Sequence, residues 1–534
     1  MKSLLTILFV AVNIFTTYSQ DTINVPEDYT TIQSAIDASS NGDIVLVAEG
    51  IYYENINYNG KAITVASHFI QGGNRAHIEN TIIDGSNPSH PDTGSVVLFV
   101  SGEDTNSVLC GFTITGGTGT NLFFNGANRN IGGGICIVNS SVTIKNNIVE
   151  FNVLDHPGDV LIDGGGICAL SEVSSNYIIE NNVIRNNSIN SVSTTYVCQG
   201  GGILTLTYGK VLIINNKICD NTVTGRWAYD GGIAFGDFAS GLAEYWIVSN
   251  LISGNEVNGT VEGGGGGITI YNTPAIFKNN LLVNNFAQKG GAMWIETTVN
   301  LENNTIINNT ATTSGGGLYI TGVVPQLMNF IIWGNNAPSG PQISGKADVQ
   351  YSDVENGYTG TGNINEDPQF VVNNEYFILD ATSPCIDAGN PDPMYFDVGA
   401  GGNALPPAQG SLLNDMGHCG GPASLWYLWD WPMPVEDGPT VLSDYILMQN
   451  YPNPFNPSTK IRYTVPQSSY VVMKVYDILG NEIETLINEE KPAGTYEVEF
   501  NSHSGFVRNL PSGVYFYQLK AGDYLKTKKM VLMK

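Results

Sequence analysis

A single phrase repeated seven times between residues 132 and 335 limits what this chain can fold into. Each copy opens on a glycine pair or triplet followed by an apolar residue. The first is Gly132-Gly133-Gly134-Ile135, and its equivalents begin at Gly164, Gly200, Gly231, Gly265, Gly290 and Gly315. Each copy closes on an aliphatic-x-x-Asn step, at Asn152, Asn187, Asn221, Asn255, Asn285, Asn309 and Asn335. Successive closures lie 35, 34, 34, 30, 24 and 26 residues apart. A period in this range marks a solenoid, whose units bury their apolar faces only by stacking on one another.

The unit reads as a coil of strands. Ile135-Cys136-Ile137, Ile203-Leu204-Thr205-Leu206 and Ile268-Thr269-Ile270 are short, often β-branched and bounded by Gly or Asn, the composition of strands between turns. Asn and Gly tolerate the left-handed backbone of a sharp corner. The pairs Asn146-Asn147, Asn181-Asn182, Asn215-Asn216, Asn279-Asn280 and Asn303-Asn304 share one column. Stacked amides there can pass hydrogen bonds from rung to rung. The expectation is an all-β chain: a right-handed parallel β-helix with an N-terminal cap helix, then a small immunoglobulin-like β-sandwich.

The Gly-Gly-(Gly/Ala)-Ile and aliphatic-x-x-Asn pairs resemble the repeats of chlamydial polymorphic outer-membrane proteins. Upstream, Thr31-Ile32-Gln33-Ser34-Ala35-Ile36-Asp37 and Gly50-Ile51-Tyr52-Tyr53-Glu54-Asn55-Ile56 resemble the start of pectin methylesterase-like and pectate lyase-like β-helices. That resemblance implies a helix capping the open apolar end, and Ile32, Ala35 and Ile36 suit its buried face. Tyr351–Val354, Asp367–Phe370, Ser383–Gly389 and Asp415–Gly417 with Gly420-Gly421-Pro422 resemble the closing segment of bacterial secreted β-helices.

Both ends of the chain carry an address. Lys2 precedes an apolar run from Leu4 to Phe15, and small residues follow before Gln20; this reads as a secretory signal peptide over 1–19. No later apolar stretch reaches transmembrane length. Residues 21–439 carry 11 Lys+Arg against 40 Asp+Glu, whereas 440–534 carry 10 against 9. In that last part, alternating runs such as Val471–Tyr476 and Val514–Leu519 read as strands of a small sandwich. Asn450-Tyr451-Pro452-Asn453-Pro454-Phe455-Asn456-Pro457, Tyr476–Gly480, Leu510–Tyr515 and Lys528-Lys529-Met530 resemble the type A sorting domain of the type IX secretion system of Bacteroidetes. The resemblance implies export across the outer membrane, removal of the domain and attachment to surface lipopolysaccharide. The expected organisation is signal peptide 1–19, β-helix with cap and closing segment 20–425, linker 426–440 and sorting domain 441–534.

Chemistry is sparse. Glycosidic hydrolysis needs paired carboxylates, and neither an Asp-Asp pair nor Gly-His-Gly occurs. The few basic residues of the repeats, among them Arg129, Lys145, Arg185, Lys210, Arg226 and Lys289, lie in no recognisable lyase motif. The net −29 of residues 21–439 repels polyanions, nucleic acid included. Absence of a catalytic pattern favours a non-catalytic adhesin or glycan-binding scaffold over a polysaccharide lyase or hydrolase, which the fold suggests by analogy only.

Insert length points to one face. Between each Asn closure and the next glycines the chain spends 11, 12, 9, 7, 4 and then 5 residues. The long inserts are expected to rise as loops in a wall over the N-terminal half, and such insertions often form a binding face. Together with Thr118–Ile131, which precedes the first glycine phrase and is expected to join the wall, they hold Phe123, Phe124, Asp155, His156, Tyr196, Arg226, Trp227, Tyr229 and Asp230, aromatics and carboxylates suited to sugar rings. No cofactor is firmly implied. Calcium is expected only if Asp155, Asp159 and Asp163 converge. Seven cysteines in an exported chain permit disulfides. Cys385 with Cys419 is the stronger candidate pair, and Cys136 with Cys168, in successive rungs, the other.

Overall fold

A computed structural model describes residues 20–424 and 446–532, apart from 91, 238–242, 272, 274, 373, 401–402, 448–449, 451–454, 456, 466–468, 478–480, 492–493, 503–509 and 523. The signal peptide, the linker and most of the Tyr-Pro-Asn-Pro motif lie outside the described residues. The chain divides into two units, 1–431 and 432–534.

In the first unit each repeat contributes one short strand to each of three parallel sheets. Sheet one has 12 strands, from Thr22–Val25 to Asp348–Gln350. Sheet two has 11, from Gly50–Tyr52 to Asp353–Val354, and sheet three has 10, from Ile56–Asn57 to Ile343–Ser344. Register repeats without slippage, so inward residues form columns. Ile144, Ile179, Ile213 and Ile247 stack in sheet one, Val149, Ile184, Ile218 and Ile252 in sheet two, and Ile135, Ile167, Ile203 and Ile233 in sheet three. All belong to one continuous core. The helix α1 (Ile32–Ala38) closes its N-terminal end with Ile32, Ala35 and Ile36 buried, and the Thr31 side chain caps its Ser34 amide.

Two asparagine ladders turn the corners. The first of each Asn pair takes the left-handed backbone, with φ of 56° at Asn146, 57° at Asn181 and 56° at Asn215. The second forms the ladder: Asn147 donates from its amide and Nδ2 to Asn182 Oδ1, and the pattern continues through Asn216, Asn250, Asn280 and Asn304. The other ladder runs from Asn152 to Asn335 and ends on Gln342 Oε1, 2.7 Å away. Each amide is buried yet bonded on every side, which is what burial of a polar group requires. The glycine phrase is explained by close approach. A Cβ on Gly201 would lie 2.6 Å from the carbonyl oxygen of Gly231 in the next rung.

The inserts correct one expectation. They are not free loops but strands, and they build a fourth sheet of 11 strands that ends on Thr310–Ser314. Leu154, Ile189, Val223 and Val257 from their first halves face Ile162, Cys198 and Ala228 from their second halves, a small separate core. Alternation of β-branched and polar residues in Thr222–Tyr229 and Glu256–Gly264 drives this. A rung-to-rung ladder also satisfies backbone groups that a loop would leave to water.

Two stretches cover the outside of sheet two. Helix α3 (Ala76–Asn80), which follows α2 (Phe69–Gly72), packs Ile78 on Ile148 and Val183. The closing segment packs Tyr376 on Leu251, Leu281, Val283 and Ile307. It is stapled there by Asn279, whose Nδ2 donates to His418 O, and by Asn303, whose Nδ2 donates to Asn414 Oδ1, at 3.0 Å each.

The second unit has a three-stranded sheet built on Ser458–Val465 and a four-stranded sheet in the order Glu482–Lys491, Ser469–Tyr476, Gly513–Ala521, Tyr524–Leu532. Both sheets contribute to one core that includes Ile461, Tyr463, Met473, Tyr517 and Met530.

The cysteine pairings are corrected. All seven cysteines are buried free thiols. Cys385 Sγ donates to Asp353 Oδ2 at 3.3 Å, and Cys419 Sγ lies 3.6 Å from His418 Nε2, so each has its own polar partner. Cys136 and Cys168 stack in register in sheet three. In parallel strands about 4.8 Å apart their side chains point the same way, not towards the crossed geometry of a disulfide.

Candidate functional site

Two faces of the first unit are partly covered by its own chain, which narrows where a ligand can lie. Sheet two is covered as described. The outward column of sheet three starts as Cys136, Cys168, Leu204 and Ala234, and these pack beneath Phe124 and Ile131. From the next rung on, the same column becomes Thr269, Trp294 and Tyr319. Facing it across the glycine corner is the last outward column of the fourth sheet: Asp163, Gln199, Tyr229, Gly264, Lys289 and Ser314.

Where the columns meet, aromatic and charged side chains converge at one corner. The Trp294 ring lies over Gly264, where a Cβ would meet its six-membered ring at 2.0 Å. Tyr229 and Tyr319 flank Trp294 edge-on, with centroids 5.9 and 5.1 Å away. Lys289 Nζ stands 5.4 Å from the Trp294 centroid and 5.5 Å from that of Tyr319. It also pairs with Glu262 Oε1 at 2.7 Å, and Glu262 Oε2 accepts from the Tyr229 hydroxyl at 3.2 Å. The Lys289–Glu262 bond holds Glu262 below the usual carboxylate range and Lys289 above the usual ammonium range. Burial, then Glu262, pushes the Tyr229 phenol up. Opposite Glu262 in register is Trp227, half-buried, with the Arg226 guanidinium 4.5 Å from its ring. Behind them Asp230 is 5% exposed, and burial pushes its carboxyl up to about 7.

Of the residues expected from sequence, Arg226, Trp227, Tyr229 and Asp230 thus share this corner. The others do not join them. Phe123 is 70% exposed at the tip of a hairpin, while Phe124 is buried. Asp155 and His156 lie on the strand Val153–His156, on the first half of an insert, and Tyr196 lies half-buried on the next one. The three aspartates proposed for calcium are apart in role and burial. Asp155 is exposed. Asp159 is exposed too and accepts from the Ser193 and Thr195 hydroxyls at 2.5 and 2.7 Å. Asp163 is buried and ion-paired with Arg129. Among the described residues no group of three or more His, Cys, Asp or Glu is arranged to hold a metal ion. The residues that sequence reading missed are Glu262, Lys289, Trp294, Glu296 and Tyr319. The available signal was the change of the outward sheet-three column from Ala234 to Thr269, Trp294 and Tyr319.

Comparison with known proteins gives two matches. Residues 129–323 match the family described as right handed beta helix region, and residues 449–533 match the secretion system C-terminal sorting domain. No curated protein matches the chain. Among the described residues no helix is long and apolar enough to cross a membrane. The chain is a right-handed parallel β-helix protein with a type A sorting domain of the type IX system, which directs it to the cell surface or extracellular space.

Proposed function

We propose that this protein is a non-catalytic, glycan-binding scaffold held at the cell surface through lipopolysaccharide after sorting. The observation that carries this reading is the corner formed by Trp227, Tyr229, Trp294 and Tyr319 with Lys289 and Glu262. The partly exposed rings of Trp227, Tyr229 and Tyr319, set around the buried Trp294, offer an apolar face to a pyranose, and neighbouring charged groups take its hydroxyls. Catalysis by this cluster is disfavoured by the state of its groups. An eliminative base must be free to take a proton, whereas Lys289 is held protonated by Glu262. A general acid must reach the glycosidic oxygen, whereas Asp230, the corner carboxyl with a raised pKa, is buried.

The test is glycan-array binding by the mature protein, beside assays for release of unsaturated or reducing sugars. Binding that Trp227→Ala and Tyr319→Ala each weaken by about 1–3 kcal/mol, with no sugar released, is expected. Sugar release would instead establish the lyase or hydrolase reading.

A further inference from the structure

We propose that the ligand of this corner is an uncharged glycan whose hydroxyl groups are received by Glu262 and Glu296; this rests on reading the corner as a glycan site. The corner's charges argue for it. Its cations are both engaged: Lys289 with Glu262, and Arg226 over Trp227 and 3.5 Å from Thr194 O. The groups left to meet a ligand are carboxylates. Glu262 is 35% exposed at its side chain, and Glu296, partly exposed, lies two residues after Trp294 where its strand ends, so it falls on the same side of the chain.

Ionised carboxylates only accept hydrogen bonds. A neutral sugar answers them with hydroxyl donors and stacks its C–H face on the rings. A uronate or sulfate ester brings a second anion to the same place, and like-charge juxtaposition in an interface is strongly unfavourable. The chain's formal net charge of −27 adds a long-range field of the same sign. A neutral ligand feels neither, so its binding should be nearly independent of salt.

The experiment measures affinities of the mature protein for cello-, manno- and xylo-oligosaccharides against oligogalacturonate and sulfated galactan oligosaccharides, at low and high salt. The expected result is binding of at least one neutral series, unchanged by salt, with acidic series at least about tenfold weaker, equivalent to about 1.4 kcal/mol. Glu262→Gln should weaken neutral binding about tenfold and, by freeing Lys289, raise acidic binding. Among the described residues, Glu296→Gln breaks no side-chain ion pair or hydrogen bond. It should weaken neutral binding several-fold with an unchanged melting temperature, which separates recognition from folding. Tighter binding of acidic oligosaccharides by the unaltered protein would overturn this inference and leave the glycan-binding reading standing. Neutral binding that neither glutamate variant alters would overturn the assignment of the acceptors. Failure of every oligosaccharide to bind would overturn both.

Discussion

Replacing Asn221 by alanine tests the ladder account of the coil most severely. Asn221 has no exposed surface. Its Oδ1 accepts from the Asn187 amide and Asn187 Nδ2, each at 3.0 Å. Its Nδ2 donates to Ile184 O at 2.9 Å and Asn255 Oδ1 at 3.0 Å. Alanine removes all four bonds and leaves the Asn187 amide without its acceptor, whereas Asn187 Nδ2 keeps Val149 O and Asn255 Oδ1 keeps the Asn221 amide. A buried group left unpaired costs about 1–3 kcal/mol, and each of the other three lost bonds about 0.5–1.5 kcal/mol. The loss should be about 3–6 kcal/mol, comparable to much of a domain's whole stability. The control is Asn190→Ala, an exposed position on the fourth sheet, where a change within about 0.5 kcal/mol is expected. Urea unfolding gives the global difference, and amide hydrogen exchange reads it locally, which matters because long repeat arrays need not unfold as one unit. Faster exchange at Asn187 and Asn255 should accompany the global loss. If the Asn221 variant matches the Asn190 variant within about 1 kcal/mol, the ladder does not hold the corner.

Other expectations follow from the same geometry. Gly201→Ala places a Cβ 2.6 Å from a backbone carbonyl that cannot retreat and should destabilise the coil by about 1–3 kcal/mol, measured by thermal unfolding. Asp230 has a folded pKa of about 7, above its ordinary unfolded value; the folded state then holds the proton more tightly, so this group's contribution is full below about pH 4 and is lost as pH rises towards 7. Asp230→Asn should therefore flatten the melting temperature between pH 5 and 8, and an unchanged slope would contradict the assignment. Thiol labelling of native protein at pH 7 should be slow at Cys136, buried and pushed up to about 12. Labelling after unfolding without reductant should reach all seven cysteines; protection of Cys385 and Cys419 there would restore the disulfide. Deleting residues 441–534 should leave a folded β-helix confined to the periplasm, detected by surface protease accessibility, and normal surface levels of the truncated protein would refute the sorting role.

The coil was legible because its constraints are local and repeated. Asn152 to Asn335 and the glycine phrase each mark a corner whose backbone or amide chemistry admits few other residues. The N-terminal helix was equally readable, since Ile32, Ala35 and Ile36 define a face within two turns. The fourth sheet was less so. Leu154, Ile189, Val223 and Val257 alternate with polar residues, but their inserts differ in length, which resembles loop variation until the rungs are stacked. The corner itself was half visible. Trp227, Tyr229 and Asp230 lie in one insert, whereas Trp294 and Tyr319 lie in strands of another sheet two and three rungs away. Only the register of sheets three and four brings them together. Asp163 illustrates the converse: calcium was expected only if it converged with Asp155 and Asp159, and its partner is instead Arg129, 34 residues away in the preceding rung.

A crystal structure of the mature protein soaked with whichever oligosaccharide binds most tightly tests the central claim most directly. The account predicts a sugar ring stacked at the corner, in contact with Trp227 or Tyr319 and within hydrogen-bonding distance of Glu262 or Glu296. A sugar bound on another face, with this corner unoccupied, would contradict it.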